Sequence, residues 1–322
     1  MSNDLRATAR GLATRSYRKL GELGHRWFGD ADAVAPASSP QPSPEPATPG
    51  AAGAEVVRPD PGMPPWLPLP APTAAAQCNV CRWQGDAFAG RAHVELSVCP
   101  ACGANGRDRF LHWCLTRRVE LNPALRIIEC SPRLGAPYRA AMATWFFYRT
   151  SDYDRRAHAG NLQLDLQAID LPDACLDVVL CAHVLEHVPD TDKALAELRR
   201  VMAPGGHLLL QVPILQAATA PPTEPEFHGD DTPVFWRFGF DLTARLRDHG
   251  FGTTLLCTQR LIDAVEGTGN PWPDWSPEFD VPDMLSGARG VAHDLTPVAD
   301  HATSDRLGID PAYMYLTWDC VA

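Results

Sequence analysis

No apolar stretch in the 322 residues approaches the roughly 18–20 that a membrane span requires. The first residues also lack the uninterrupted apolar core of a secretory leader, so a cytoplasmic chain is expected, with at most a peripheral membrane contact. Positive charge is scarce too. Lys and Arg number 28 against 39 Asp and Glu, a net charge of −11 and an isoelectric point near 5.4. Phosphate neutralisation wants a basic face, so this balance argues against nucleic acid held by bulk electrostatics, although a local basic patch stays open. The ten cysteines are not spaced as a small disulfide scaffold, and four of them form metal-type pairs, which again fits a reducing compartment. What remains is ordinary for a globular protein. The apolar fraction is 45%, and the length suffices for one large domain with appendages.

Residues 4–28 carry Leu5, Ala9, Leu12, Leu20, Leu23 and Trp27 at helical spacing, with Arg6, Arg10, Arg15, Arg18, Lys19 and Arg26 beside them. Residues 1–30 therefore read as a basic amphipathic helix, opposite in sign to the rest of the chain. Such a helix lies on an anionic membrane or docks on a partner protein, or it is a plain solvated terminus. Residues 31–76 are dominated by Pro, Ala, Ser and Gly, from Pro36 through Pro49 to Pro72. That composition cannot bury enough apolar surface to offset ordering its backbone, and the segment is expected to be a disordered tether.

Cys78-Asn-Val-Cys81 and Cys99-Pro-Ala-Cys102 follow, separated by 17 residues. Each C-x2-C turn places two thiolates on one ion and two turns complete a tetrahedron, so residues 77–106 are expected to form a zinc ribbon. Four thiolates leave no open coordination position, which makes the metal structural. Residues Gly106–Glu120 form a helix leading into the main domain, with Phe110, Leu111, Cys114, Leu115 and Val119 for its apolar face.

From there to the C-terminus, short apolar runs alternate with amphipathic segments, the signature of a parallel sheet built from βαβ units. The strands are expected at Leu125–Cys130, Trp145–Asp152, Asn161–Leu166, Val178–Cys181, Leu208–Val212, Phe251–Thr258 and Ala312–Asp319. The most informative stretch is Asp173–Pro213. In it a strand ends at the polar turn His183, Glu186, His187, a helix runs over Asp192–Met202, and Pro204-Gly205-Gly206 opens the next strand. Ligands in such sheets sit beyond the carboxyl ends of the strands, where Cys181–His187 lie.

LDVVLCAHVLEHVPD followed by LRRVMAPGGHLLLQVP resembles the class I S-adenosylmethionine-dependent methyltransferases of the type 11 group. The preceding knuckles with CPACGANGRDRFLHWCL resemble a bacterial subgroup that carries a four-cysteine ribbon in front of that domain. The resemblance covers about Leu125 to the C-terminus, within a domain expected over residues 107–322, and implies an α/β fold, a Rossmann-like seven-stranded sheet with helices on both faces and its last strand antiparallel. It implies S-adenosylmethionine as cofactor and assigns residues to it. Glu129 and the turn Cys130, Ser131, Pro132 through Gly135 would hold the methionine part. Asp152 would accept the ribose hydroxyls, and Asp165 with Leu166 would receive the adenine. Cys181, Ala182 and His183 would pass beside the methyl group, with Glu186 and His187 as the LEH signature. The first motif departs from the family's glycine-rich form, having Ser131 and Pro132 where a glycine lets the backbone approach closely.

Methyl transfer needs chiefly alignment, and a base only when the acceptor is a protonated group. His183, His187 and His228 are the candidates for that base, and each also has a structural reading. His228 lies in EFHGDDTPVFWRFGFDL, where Asp230 and Asp231 would orient or raise an imidazole. Phe235, Trp236 and Arg237 read as an acceptor wall or, with Phe238 and Phe240, as core. Residues 266–310, rich in Pro, Gly and Asp and containing Trp272 and Trp275, are too long for an ordinary connection and are expected to be an active-site cover or a disordered insertion. Cys114, Cys130, Cys175, Cys181, Cys257 and Cys320 read as buried small hydrophobes. The reaction expected is methyl transfer to a small-molecule or glycan-type acceptor, most simply O-methylation. An RNA base methyltransferase and a non-catalytic binding module stay open as alternatives.

Overall fold

The computed structural model describes residues 64–90, 96–154, 160–214, 216–228, 232–268, 281–309 and 316–322. The chain divides into two units, 1–55 and 56–322. The basic helix expected at 4–28 and the tether up to residue 63 lie outside the described residues.

In the second unit the ribbon comes first, with β1 (Ala76–Gln77) paired antiparallel to β2 (Gln84–Gly85). Residues 64–76 do not behave as the tether expected of them. The Arg82 guanidinium donates to the carbonyls of Pro64, Leu67 and Pro68, and Trp66 packs edge-on against Trp145 and Phe146 at 5.7 Å. A single tryptophan and an arginine fork supply the burial and the carbonyl partners that the proline-rich composition lacks.

Helix α1 (Gly106–Arg118) leaves the second knuckle through a capping box. The Asn105 side chain accepts from the Asp108 amide, and Asp108 accepts from the Asn105 amide. The main sheet follows, with β3 (Arg126–Cys130), α2 (Ala136–Trp145), β4 (Phe147–Asp152), β5 (Leu162–Gln163) and β6 (Leu176–Ala182). Then come α3 (Thr191–Val201) and β7 (Met202–Gln211). A small hairpin, β8 (Glu226–Phe227) with β9 (Pro233–Val234), precedes α4 (Leu242–Asp248), β10 (Gly252–Thr258) and α5 (Gln259–Val265). The chain closes with α6 (Val281–Gly290), β11 (Leu295–Ala299), α7 (His301–Leu307) and β12 (Thr317–Val321).

The strand order is β11-β10-β12-β7-β6-β3-β4-β5, with β12 antiparallel to both neighbours and every other pairing parallel. From β3 the chain first runs outward to β4 and β5, then returns to place β6 on the other side. The direction of winding therefore reverses between β3 and β6, which opens a crevice at their carboxyl ends. Alternation along the strands puts Ile127, Val178, Leu180 and Leu209 on one face, packed with Leu115 of α1, Val119 just after it and Met142 of α2. Helix α3 buries Ala194, Leu195, Leu198 and Val201, spaced for one helical stripe.

Four sequence expectations change. The seven-stranded sheet is there and carries an eighth strand: the segment 266–310, read as a cover or insertion, supplies α6, β11 and α7 instead. β11 pairs with β10 from Leu255↔Leu295 onward and so covers an edge that would otherwise expose unpaired backbone. Residues 269–280, with Trp272 and Trp275, lie outside the described residues. The third strand shrinks to Leu162–Gln163, because Asp165 turns the chain by accepting the Gln167 amide at 2.9 Å. Trp145 ends α2 rather than starting β4. The last strand begins at Thr317, and residues 310–315 lie outside the described residues.

Arg109 joins the ribbon to the far end of the sheet. Fully buried, it donates to Ser97 O and Ala104 O in the ribbon and to Leu307 O and Gly308 O at the end of α7, and it stacks on Phe88 at 3.7 Å. Gly308 must be glycine here: its φ is +57°, and a Cβ would come within 2.8 Å of both the guanidinium and the Phe88 ring.

Candidate functional site

The two cysteine turns repeat one geometry. Arg82 and Gly103, each directly after the second cysteine of its pair, take φ of 65° and 79°. Each returns its amide to the carbonyl of the first cysteine, Cys78 or Cys99, at 2.8 and 2.9 Å. The four Sγ atoms of Cys78, Cys81, Cys99 and Cys102 consequently lie within 4.8 Å of one another. Sγ–Sγ distances are 3.7 Å for Cys78–Cys102 and 3.6 Å for Cys81–Cys99. With metal–sulfur bonds of about 2.3 Å, a tetrahedral four-thiolate zinc site has edges of about 3.8 Å. The donor set fits that ion and has no place for a reacting ligand.

At the crevice, β3 and β6 both end in left-handed residues. Ser131 takes φ of 51° and His183 takes 57°, and their amides donate back to the neighbouring strands, to Ser151 O and Gln211 O. Ser131 thus adopts the conformation for which the related motif uses glycine, at a cost of about 1–2 kcal/mol for an L-residue. Its hydroxyl is engaged there, donating to Asp152 Oδ2 at 2.9 Å. The other Asp152 oxygen accepts the Asp154 amide. Pro132 is buried, and Gly135 caps α2 with ordinary φ of −64°. Asp165 stands one turn beyond β5, with Leu166 buried beside it.

Between this loop, β6 and α1 lies a pocket. Asp108, Leu111, His112 and Leu115 of α1 form one wall, and Glu129, Cys130, Ser131, Arg133, Leu134, Tyr138, Leu180 and Ala182 form the rest. Glu129 accepts a short hydrogen bond from the Tyr148 hydroxyl. Burial nevertheless pushes its carboxyl up to about 7 against that bond. Burial holds His112 down near 4, with Arg82 adding to the effect. Cys130 and Cys181 face each other across the β3–β6 register and are both buried. The Asp108 carboxyl is likewise raised by burial, opposed by the Asn105 amide and the neighbouring arginines.

The polar turn after β6 is organised around Glu186. Its carboxylate is 1% exposed, lies 3.6 Å from His183 Nδ1 and 3.9 Å from His187 Nε2, and has no hydrogen-bond partner for either oxygen among the described residues. Burial lifts it to about 7, opposed by its own backbone amide and by Arg107 and Arg133. His183 is held well below its ordinary value by burial and by the same two arginines, so it is neutral. His187 donates Nδ1 to Pro233 O at 2.7 Å. The exposed His228 sets its ring edge-on to His187, centroids 4.6 Å apart. The three histidines proposed from sequence thus meet in one row beside Glu186, whereas Asp230 and Asp231 lie outside the described residues.

Phe235 and Trp236 donate their amides to the Glu186 carbonyl. Arg237 pairs with Glu226 at 2.8 Å, while Phe238 and Phe240 are core. The run therefore divides between bracing the LEH turn and packing. Sequence reading missed Arg107, Asp108 and His112. They sit on a helix chosen for its apolar face, and the signal available was a cluster of polar side chains on positions that the fold buries or half-buries.

Seven parallel strands with one antiparallel strand, β12, third from the β11 edge, an acid at the end of β4 and a crevice at the β3–β6 reversal are the fold of the class I S-adenosylmethionine-dependent methyltransferases. Residues 148–210 match the family described as the methyltransferase domain. Among curated proteins, the chain is 39% identical over 75 residues to a ubiquinone/menaquinone biosynthesis C-methyltransferase of Acidiphilium cryptum, covering 23% of this chain and 30% of that one. It is 48% identical over 46 residues to a probable methyltransferase, ltbC, of Aspergillus luteorubrus, covering 13% and 16%. The chain thus spans less than a third of the length of either relative. Among solved structures, an S-adenosylmethionine-dependent methyltransferase of Mesorhizobium loti aligns with 67% of this chain and 98% of its own at 13% identity and a TM-score of 0.40. A Burkholderia thailandensis 1,6-didemethyltoxoflavin-N1-methyltransferase with bound S-adenosylhomocysteine aligns with 41% and 62% at 15% identity and a TM-score of 0.32. No helix among the described residues is long and apolar enough to cross a membrane.

Proposed function

We propose that the chain moves a methyl group from S-adenosylmethionine to a small-molecule or glycan-type hydroxyl, with a structural zinc ion in the ribbon. The observation that carries this reading is the pocket at the carboxyl ends of β3 and β6, lined by Glu129, Cys130, Ser131 and Ala182, inside the segment that matches the methyltransferase family. When bound, the cofactor supplies a methyl group on a sulfonium that is its own leaving group. The protein has to align the two reactants and keep water away. Glu129 and the 130–135 turn hold the amino-acid end, Asp152 exchanges its Ser131 and Asp154 bonds for ribose hydroxyls, and Asp165 and Leu166 take the adenine. With an acceptor hydroxyl aligned on the methyl group, His228 would take the hydroxyl proton. His187 and His183 line the path behind it, with Glu186 offsetting the charge that develops.

Calorimetry with S-adenosylhomocysteine tests the cofactor assignment, with micromolar binding expected and no binding at millimolar ligand sufficient to reject it. Metal analysis should find about one zinc per chain. Methyl transfer to hydroxylated small molecules in preference to RNA supports the acceptor class, and robust, salt-sensitive transfer to RNA overturns it.

A further inference from the structure

The cofactor pocket is not built by the sheet and its loops alone. Asp108 and His112 stand on α1, the helix that begins four residues after the last ribbon cysteine, and they face the same cavity as Glu129, Ser131 and Ala182. His112 is 4% exposed, and its Nδ1 has no hydrogen-bond partner among the described residues. A buried ring nitrogen left without a partner costs roughly 1–3 kcal/mol unless something fills its place, and the pocket is where a partner would come from. The position of α1 depends in turn on the ribbon. Its N-terminus is capped by Asn105, and Arg109, one residue after Asp108, is held by Ser97 and Ala104 on the ribbon side. Asn79, inside the first cysteine turn, donates to the Arg109 carbonyl at 2.8 Å.

Building on the cofactor reading above, we propose that Asp108 and His112 bind the α-ammonium end of S-adenosylmethionine together with Glu129. By fixing α1, the metal in the ribbon then sets the cofactor's affinity. An ammonium offers three donors. Two carboxyl groups and a neutral imidazole, all at least partly withdrawn from water, are the acceptors the pocket presents. The ribbon is thereby a working part of the methyltransferase site as well as a fold element. Its four thiolates touch no ligand, and they act through the helix they launch.

The test is calorimetry with S-adenosylhomocysteine, which carries the same amino-acid end, on the full zinc-loaded chain, on the chain after chelation, and on zinc-loaded His112→Leu and His112→Gln. Leucine keeps the helix and most of the volume while removing the ring nitrogens. His112→Leu should weaken binding about tenfold, the loss of one hydrogen bond to a charged group, and His112→Gln should recover part of that. Chelation should weaken binding further. Amide exchange over residues 106–118 of the zinc-loaded chain should slow when the ligand is added. Wild-type affinity in His112→Leu, or unchanged exchange over α1, overturns the contact, and unchanged affinity after chelation overturns the coupling. Those results leave the cofactor reading standing. Absence of binding to the loaded wild-type chain rejects that reading and this one together.

Discussion

The cysteine turns of the ribbon and the strand ends of the crevice use the same backbone device for opposite ends. In both, two residues adopt left-handed φ, Arg82 and Gly103 in the first and Ser131 and His183 in the second, and each returns an amide to a nearby carbonyl. In the ribbon the bend gathers four thiolates within 4.8 Å of one another, a set that fits one ion and leaves no open position. At the strand ends it leaves Ser131 lining a pocket with its hydroxyl on Asp152, and His183 beside Glu186. The ribbon's four thiolates are the donor set of a closed metal site. In the crevice both Glu186 oxygens and His112 Nδ1 have no hydrogen-bond partner among the described residues. A region finished in itself contrasts with one that waits for ligands.

That contrast breaks most sharply at the ribbon. Cys99→Ser should abolish stoichiometric zinc and lower thermal stability steeply, since structural zinc sites contribute on the order of 10 kcal/mol to folding. Metal analysis with calorimetric unfolding reads both. Next comes His228→Ala, which should lower turnover about a hundredfold, the usual share of a general base, while cofactor affinity holds. Normal turnover would reduce His228 to a bystander. Asp152→Ala should weaken S-adenosylhomocysteine about ten- to thirtyfold through lost charged hydrogen bonds, with the melting temperature changed by only a few degrees. Equal affinity would mean that another group reads the ribose.

The smallest effect sharpens the comparison through pH. The Glu186 carboxyl is raised from 4.5 to about 7, so the folded state holds its proton more tightly than the unfolded chain does. The stability this confers is complete below about pH 4.5 and is lost as pH rises through 7. His183, His187, Arg107 and Arg133 surround the group. Glu186→Gln keeps the shape without the titration. Its melting temperature should match the wild type near pH 5 and exceed it by a few degrees at pH 8, and a constant difference across that range would refute the buried-acid assignment. Glu129 contributes with the same sign in both proteins.

Much of this was legible in the chain because the signals are local. The C-x2-C spacing, the strand-ending Asp152, the LEH turn and the Pro204-Gly205-Gly206 entry to β7 each lie within a few residues. Gly206 illustrates why the last is so specific: a Cβ there would fall 2.9 Å from Ala203 O and 3.0 Å from Asp177 O. β11 was not legible. LTPVA is short, contains a proline and sits in a Pro/Gly/Asp-rich segment. Only a sheet edge with room for one more strand makes it one, and proline is tolerated there. Nor was the burial of Glu186 legible, because its cover comes from β9 and the residues after it, nearly fifty positions away. The proline-rich residues 64–76 misled for a related reason: the partner that orders them, Arg82, belongs to the ribbon.

Composition and spacing by themselves determined that this chain has a four-thiolate ribbon followed by a parallel sheet, and which acids end its strands. Thiolate turns and strand periodicity are set by neighbours along the backbone. Tertiary structure alone decided that α1 lends Asp108 and His112 to the crevice and that Arg109 ties the ribbon to α7 across some two hundred residues. It also decided that His183 and His187 meet at one buried carboxylate, with His228 set against His187. Burial and charge depend on what the rest of the fold lays over a residue, and no stretch of sequence carries that within itself.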